Sequence, residues 1–231
     1  MIRFLQIKTI FLLSGCDAKL DLVFLVDGSS IKNTTTKSLI KQVVSAFKVG
    51  QMNACFAVVA YSRDAKVIYG FKSGNSSMND MEKTFELIHF PTDGTHIGQG
   101  LELTNQDLFH IQPRKDSHKV LVVLLDAPSL DNVSQPSLSL RNMSVEIFAI
   151  GMGSNYDKNQ LNDIASDPDN LHVFSSANDG IESLVTNLTK AICQGRYSYF
   201  IFKCAITGFV HTPNIGVVLV RKKFVKRCSR R

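Results

Sequence analysis

Three runs of the sequence are almost wholly apolar, and each stops at a residue that does not belong to the run. They are residues 20–26 before Asp27, residues 120–125 before Asp126, and residues 145–150 before Gly151. Strands in which every side chain is apolar suit the interior of a parallel sheet that is covered on both faces. This feature restricts the chain to a layered α/β architecture.

Between these runs the apolar residues follow other periods. Residues 39–47 carry an apolar stripe at helical spacing, and residues 54–71 are predicted to form two strands around the turn signal "SRDA", a hairpin. Further helices are predicted at residues 78–90, 97–109 and 157–166, and a connector is predicted between the second and third apolar runs. The order predicts a doubly wound, mostly parallel six-stranded sheet with one antiparallel edge strand and helices on both faces.

The positive charge of the chain is concentrated outside this predicted domain. The net charge is +6, but residues 196–231 hold nine Lys or Arg and no acidic residue, and Arg3 and Lys8 precede the domain. The remaining 15 basic and 20 acidic residues leave the central part about −5. This part lacks the clustered positive charge that phosphate contacts need, so nucleic acid is excluded as its partner.

The five cysteines form no CxxC pair and have no Cys/His spacing that suits zinc. Cys55 lies in an apolar strand and is predicted to be a buried free thiol. Cys16 precedes the first strand and Cys193 closes the last helix. In an exported protein these two would form a disulfide that joins the ends of the domain.

Two features favour export. Residues 1–15 resemble a signal peptide with a basic start, although Lys8 shortens the apolar stretch. "LSGC" is alternatively a bacterial lipoprotein box in which Cys16 carries the lipid. Glycosylation is predicted at five Asn-x-Ser/Thr acceptors, Asn33, Asn75, Asn132, Asn142 and Asn187.

The last segment, residues 196–231, is not part of the predicted domain. Residues 197–220 have nearly the length of a membrane span and precede a basic cluster, but Lys203, His211 and Pro213 interrupt them. Two other interpretations are an extension that adheres to surfaces and a terminus that departs from the natural reading frame. The basic end would suit heparin-like polyanions or anionic lipid.

Oxygen-bearing side chains follow the ends of two predicted strands. Asp27 and Asp126 reach the same rim if their strands are neighbours, and Ser29, Ser30 and Thr95 add hydroxyls. An all-oxygen cluster favours a hard cation, Mg²⁺ rather than zinc. The alternative is that Asp27 and Ser29 only cap the following helix.

Four segments of the chain, in order and at matching spacing, resemble a von Willebrand factor type A domain. They cover residues 16–194 and are "DLVFLVDGSS", "DGTHIGQGL", "VLVVLLDAPSLDN" and "LRNMSVEIFAIGMGSNYDKNQLNDIASDPDNLHVF". The similarity is closest to the domains of matrix collagens, matrilins and integrin inserted domains. It implies a domain over residues 16–195.

The resemblance also implies a metal-ion-dependent adhesion site. The motif positions are Asp27, Ser29, Thr95 and Asp126, and the second serine position is Ile31, so the site is expected to lack one ligand. The implied cofactor is Mg²⁺ or Mn²⁺, whose shell is completed by a carboxylate of the partner protein. The implied function is a secreted, non-enzymatic module that binds matrix proteins such as collagen.

Two other functions stay open. A membrane-anchored receptor fragment would use residues 197–220 as a single span. A nucleotide-binding enzyme of related architecture would use "GMGSNY" after a strand, but Tyr156 replaces the third glycine of that loop.

Overall fold

The computed structural model describes residues 19–31, 33–71, 78–87, 94–111, 114, 116–207, 210–212 and 216–218. The predicted signal peptide, Cys16, Asn75 and the basic end of the tail lie outside these residues. The chain divides into two compact units, residues 1–189 and 190–231. Within the described ranges, no helix combines the length and the apolar character that crossing a bilayer requires.

A six-stranded sheet forms the centre of the first unit. Its strands are β1 (Leu20–Asp27), β2 (Ala54–Tyr61), β3 (Ala65–Tyr69), β4 (His118–Leu125), β5 (Val145–Gly151) and β6 (Val173–Ser175). The order across the sheet is β3-β2-β1-β4-β5-β6. The edge strand β3 is antiparallel to β2, and the other pairs are parallel. The predicted fold class is confirmed.

Helices connect the strands. They are α1 (Thr34–Ser45), α2 (Met78–Leu87), α3 (Ile97–Leu103) with a π-helical continuation (Thr104–His110), α4 (Ser134–Asn142), α5 (Lys158–Ile164), α6 (Asp169–His172) and α7 (Ser176–Thr207). The backbone of α7 is broken at Gly180, where φ is 67°. In the second unit, β7 (Val210–Thr212) and β8 (Gly216–Val218) form a hairpin.

Helix α4 lies where the sequence predicted only a connector. Its sequence "SQPSLSLRN" has few apolar residues and contains Pro136, which suppresses a helical signal. Proline is tolerated here because it lies in the first turn, where its missing N–H has no helical acceptor. The helix buries Leu140 and Pro136.

The core lies on both faces of the sheet. All eight residues of β1 and all eight of β2 are buried. Since successive side chains of a strand point to opposite faces, both faces must be covered. Helix α1 contributes the predicted stripe, with Leu39, Ile40 and Val43 buried.

At the rim where β1 and β4 begin, one arginine joins the start of β1 to the loop before β2. The Arg114 guanidinium donates to the Asp21 carboxylate and to the carbonyl oxygens of Leu20, Gln51 and Asn53. The Asp21 side chain is 1% exposed. A buried carboxylate is tolerated in the core when it is paired and hydrogen-bonded in this way.

A second buried polar cluster joins β4, β5 and α6. Glu146 lies between two histidines, with Nε2 of His118 2.7 Å from one carboxylate oxygen and Nε2 of His172 3.0 Å from the other. Burial raises the pKa of Glu146, but hydrogen bonds from the two histidines outweigh it and the net pKa is lowered. Burial lowers the pKa of His172, but the hydrogen bonds to Glu146 and to the carbonyl of Pro168, together with the charges of Glu146 and Asp167, outweigh it and the net pKa is raised.

These two shifts predict a stability maximum in mildly acidic solution. The contribution of Glu146 is complete above its ordinary pKa of 4.5 and is lost as the pH falls through its lowered pKa. The contribution of His172 is complete below its ordinary pKa of 6.5 and is lost as the pH rises through its raised pKa. Urea unfolding from pH 4 to 9 should show the largest difference between wild type and Glu146→Gln between these two values. A difference that stays constant across this pH range would contradict the prediction.

Candidate functional site

The strand order brings the two predicted carboxylates to one rim of the sheet. β1 and β4 are parallel neighbours, with Leu25 opposite Val123. Asp27 is the last residue of β1, and Asp126 directly follows β4. Both therefore lie where the carboxyl ends of adjacent strands diverge, the place where open α/β sheets bind ligands.

The turn after β1 sets the direction of the next three side chains. The N–H of Ser30 donates to the carbonyl of Asp27 at 3.1 Å, which closes a tight turn. The N–H of Ser29 donates to Oδ1 of Asp27 at 2.7 Å, and the Ser29 hydroxyl donates to the same oxygen. Beyond the turn, the side chain of Ile31 is 1% exposed and belongs to the core.

A second hydroxyl reaches the site from Ser30. Its Oγ donates to Oδ2 of Asp126, across the gap between the ends of β1 and β4. That Ile31 leaves the site one ligand short stays a prediction; the structure adds that the Ser30 hydroxyl contacts a carboxylate of the site. The turn directs Ile31 into the apolar core and places the Ser30 hydroxyl beside the carboxylate.

The two carboxylates are close enough to influence each other. Burial raises the pKa of Asp27, hydrogen bonds from the Ser29 hydroxyl lower it, and the negative charge of Asp126 raises it further. The net pKa is raised. A cation would compensate this excess negative charge, and the oxygen donors of Asp27, Asp126, Ser29 and Ser30 suit a hard divalent ion. In the described part of the chain, no three His, Cys, Asp or Glu side chains are grouped to hold a metal.

The loop before α3, which carries the predicted ligand Thr95, is held in place by backbone hydrogen bonds. The carbonyl oxygen of Thr95 accepts from the N–H of Leu130 at 2.7 Å and from the hydroxyl of Ser129 at 3.2 Å. The N–H of His96 donates to the carbonyl of Ser62 at 2.9 Å. The two bonds to Thr95 hold the loop before α3 against the loop after β4, and the bond from His96 holds it against the loop after β2. Thr95 therefore lies beside the loop that carries Asp126.

Two side chains that sequence patterns did not indicate join these two loops, those of Ser129 and Asp131. Asp131 accepts from the N–H groups of Gly98 and Gln99, each at 2.8 Å, and Ser129 accepts from the N–H of Ile97. A Cβ on Gly98 would lie 2.2 Å from the carbonyl oxygen of Asn132, so only glycine allows this approach.

A glutamine from α5 holds the same loop from the other side. Oε1 of Gln160 accepts from the N–H of Ser129 at 2.7 Å, and its Nε2 donates to the Ser129 carbonyl at 3.1 Å. The partners in these contacts are about 30 residues apart in sequence. Patterns within a short window could not find them.

An open cleft of about 470 Å³ extends from the carboxylates. Asp27, Ser30 and Asp126 lie on its wall. The other lining residues come from β1, β4, α1, the loop after β5, and the region around the start of α7, and they are Val26, Leu124, Asn33, Thr35, Thr36, Met152, Gly153, Ser176, Gly180 and Ile181.

The structure places the remaining predicted residues as follows. Cys55 is buried and free. Cys193 is disulfide-bonded, but Cys16 lies outside the described residues and the pairing of these two stays a prediction. Four glycosylation acceptors, Asn33, Asn132, Asn142 and Asn187, are exposed.

The fold and the rim define a doubly wound α/β domain with a carboxylate and hydroxyl cluster at its strand ends. The family model of the von Willebrand factor type A domain matches residues 21–187. The collagen alpha-1(XII) chain of Notophthalmus viridescens is 30% identical over 191 residues, which are 78% of this chain and 20% of that one. This chain belongs to the von Willebrand factor type A domain family.

Other relatives are a matrilin and a cochlin. Matrilin-1 of Gallus gallus is 29% identical over 78% of this chain and 37% of its own length. Human cochlin is 24% identical over 78% of this chain and 33% of its own length. The chain thus spans less than two fifths of the length of each of these relatives.

A solved structure has the same fold. Proximal thread matrix protein 1 from the mussel byssus superposes with a TM-score of 0.67 at 29% identity. In that structure zinc occupies the metal-ion-dependent adhesion site (MIDAS) motif. The match covers 77% of this chain and 46% of that one.

The buried position of Ile31 predicts that its substitution affects the stability of the core and not the binding of an ion. Ile31→Ser removes buried methyl groups and places a hydroxyl in the core, so we expect a loss of about 2–5 kcal/mol in the free energy of unfolding. We expect no gain in Mn²⁺ affinity. Urea unfolding and calorimetric titration measure the two effects.

Ser30→Ala is the matched control for Ile31→Ser. It should weaken Mn²⁺ binding and leave the core intact, because the Ser30 hydroxyl contacts Asp126 at the cleft. Tighter Mn²⁺ binding by a fully stable Ile31→Ser variant would show that the hydroxyl is needed at position 31.

Proposed function

We propose that this domain is an extracellular, non-enzymatic adhesion module that binds matrix proteins through a divalent ion. The observation that carries the proposal is that Asp27, Ser30 and Asp126 lie on the wall of one cleft, with the Ser29 hydroxyl bonded to Asp27. Relatives that are collagen and matrilin chains support a matrix role. The predicted alternatives of an enzyme and a membrane-anchored receptor fragment gain no comparable support.

Carboxylates and hydroxyls would both contribute ligands to the ion. Asp27 and Asp126 supply negative charge, Ser29 and Ser30 supply neutral hydroxyl oxygens, and Thr95 is the further ligand that the family motif implies. The bound ion would supply an electrophilic centre that accepts a Glu or Asp carboxylate from the partner. The open cleft gives such a carboxylate a route to the ion.

Mg²⁺ or Mn²⁺ is the proposed ion. An all-oxygen donor set suits these hard cations, whereas zinc prefers nitrogen and sulfur ligands. Zinc is nevertheless the competitor to include in each titration, because the MIDAS motif of the mussel protein is occupied by it.

A disulfide between Cys16 and Cys193 is also part of the proposal. It would close a loop of about 180 residues and stabilise the domain by roughly 5 kcal/mol in the loop-entropy model. Peptide mapping without reduction should find both cysteines in one cross-linked peptide. Two free thiols at these positions would remove this part of the proposal.

The function is tested by a solid-phase screen against collagens and other matrix proteins, with and without EDTA. We expect at least one matrix protein to bind in Mg²⁺ or Mn²⁺ and to be released by EDTA. Binding that is unchanged by EDTA would remove the role of the ion. An absence of binding to every matrix protein, together with no heat on Mn²⁺ titration, would overturn the proposed function.

A further inference from the structure

One predicted glycosylation acceptor lies on the wall of the cleft. Asn33 begins the acceptor triplet Asn33-Thr34-Thr35, and both Asn33 and Thr35 line the same cleft as Asp27 and Asp126. The other exposed acceptors, Asn132, Asn142 and Asn187, are not among the residues described as lining it. A group attached to Asn33 would therefore start at the entrance to the candidate site.

The local geometry of Asn33 is compatible with modification. Its Oδ1 accepts from the N–H of Thr35 at 2.9 Å and caps the start of α1. A glycan is attached to Nδ2, the other atom of the amide, so the capping bond can persist in the modified protein. Asn33 is also exposed. The acceptor can thus carry a bulky group without loss of the helix cap.

We propose that Asn33 is an N-glycosylation site whose glycan narrows the entrance of the cleft to macromolecules and leaves it open to ions. This inference rests on the proposed extracellular function, because a glycan is added only on the secretory route. A glycan is large and hydrated, and a protein partner must approach closely to place a carboxylate in the cleft. The occupancy of Asn33 would then set the fraction of molecules that can bind a partner.

The modification is tested on the full chain secreted from animal cells. Thr35→Ser keeps the acceptor triplet and Thr35→Ala destroys it, and both keep the Asn33 cap. Glycopeptide mapping should find a glycan on Asn33 in wild type and Thr35→Ser and none in Thr35→Ala. An unmodified Asn33 in the secreted wild type would overturn the proposal.

The effect on access is measured without a partner. Met152→Cys places a thiol on the cleft wall. Its labelling by N-ethylmaleimide and by a maleimide with a long polyethylene glycol chain is compared in the Thr35→Ser and Thr35→Ala backgrounds. The same two backgrounds without Met152→Cys give the labelling of the native thiols.

We expect the large maleimide to react several-fold more slowly in the glycosylated background and the small one to react equally in both. Ser134→Ala, which removes the Asn132 acceptor, should leave both rates unchanged. Equal rates for the large reagent in the two Thr35 backgrounds would overturn the gating role. Mn²⁺ titration of the wild type tests the proposed function separately, since absence of heat there would leave the glycan result standing.

Discussion

Asp126→Ala is expected to abolish divalent-ion binding and leave the fold intact. The residue supplies one of the two carboxylates at the rim and accepts the hydroxyl of Ser30. We expect the Mn²⁺ affinity to fall by more than the roughly 10–100-fold that loss of an outer-shell partner costs. Calorimetric titration measures this loss directly.

The stability of the same variant gives an independent readout. Without metal, Asp126 and Asp27 repel each other, so Asp126→Ala should be at least as stable as the wild type. With Mn²⁺ at a hundredfold excess over its dissociation constant, the wild type should gain about 2.7 kcal/mol and the variant should gain nothing. Equal Mn²⁺ stabilisation of both proteins would remove Asp126 from the proposed ligand set.

Arg114→Ala is expected to cause a large loss of stability at the opposite rim of the sheet from the site. It would leave the carboxylate of Asp21 buried without its cationic partner. Among the described side chains, the hydroxyl of Ser117 would still donate to it. Removal of one partner from a buried ion pair costs about 3–5 kcal/mol. The carbonyl oxygens of Leu20, Gln51 and Asn53 would lose a donor as well. Urea unfolding at neutral pH measures the effect.

Two substitutions test this explanation. Arg114→Lys should recover part of the loss, because an ammonium group retains the charge but cannot reach acceptors on both β1 and the loop before β2 as a guanidinium does. Lys41→Ala removes an exposed ion pair with Glu82 and should cost less than about 1 kcal/mol. If Arg114→Ala is no more harmful than Lys41→Ala, Arg114 does not stabilise the start of the strands.

The candidate site was only partly predictable. Asp27 and Asp126 could be named because each follows a strand whose composition marks it as buried. The contact of Ser30 with Asp126 could not, because one hydrogen bond in a tight turn decides whether residue 30 or residue 31 faces the rim. A shift of one residue exchanges a core isoleucine for a site hydroxyl.

The fold was more predictable than the site. Strands β1, β4 and β5 were predicted from composition, since a strand buried on both faces must be apolar throughout. The helix α4 was missed because it is short and polar and has a proline in its first turn. Its formation depends on packing, which places Leu140 in the core.

The amino-acid sequence by itself determined the buried strands, the polar residues that end them and the acceptor triplets for glycans, because each depends on neighbours within a few residues. Only the tertiary structure decided that Ser30 meets Asp126, that Ser129, Asp131 and Gln160 join the loops, and that Asn33 lies on the cleft. Those relations depend on how distant strand ends are placed beside one another, and local patterns carry no information about such distances.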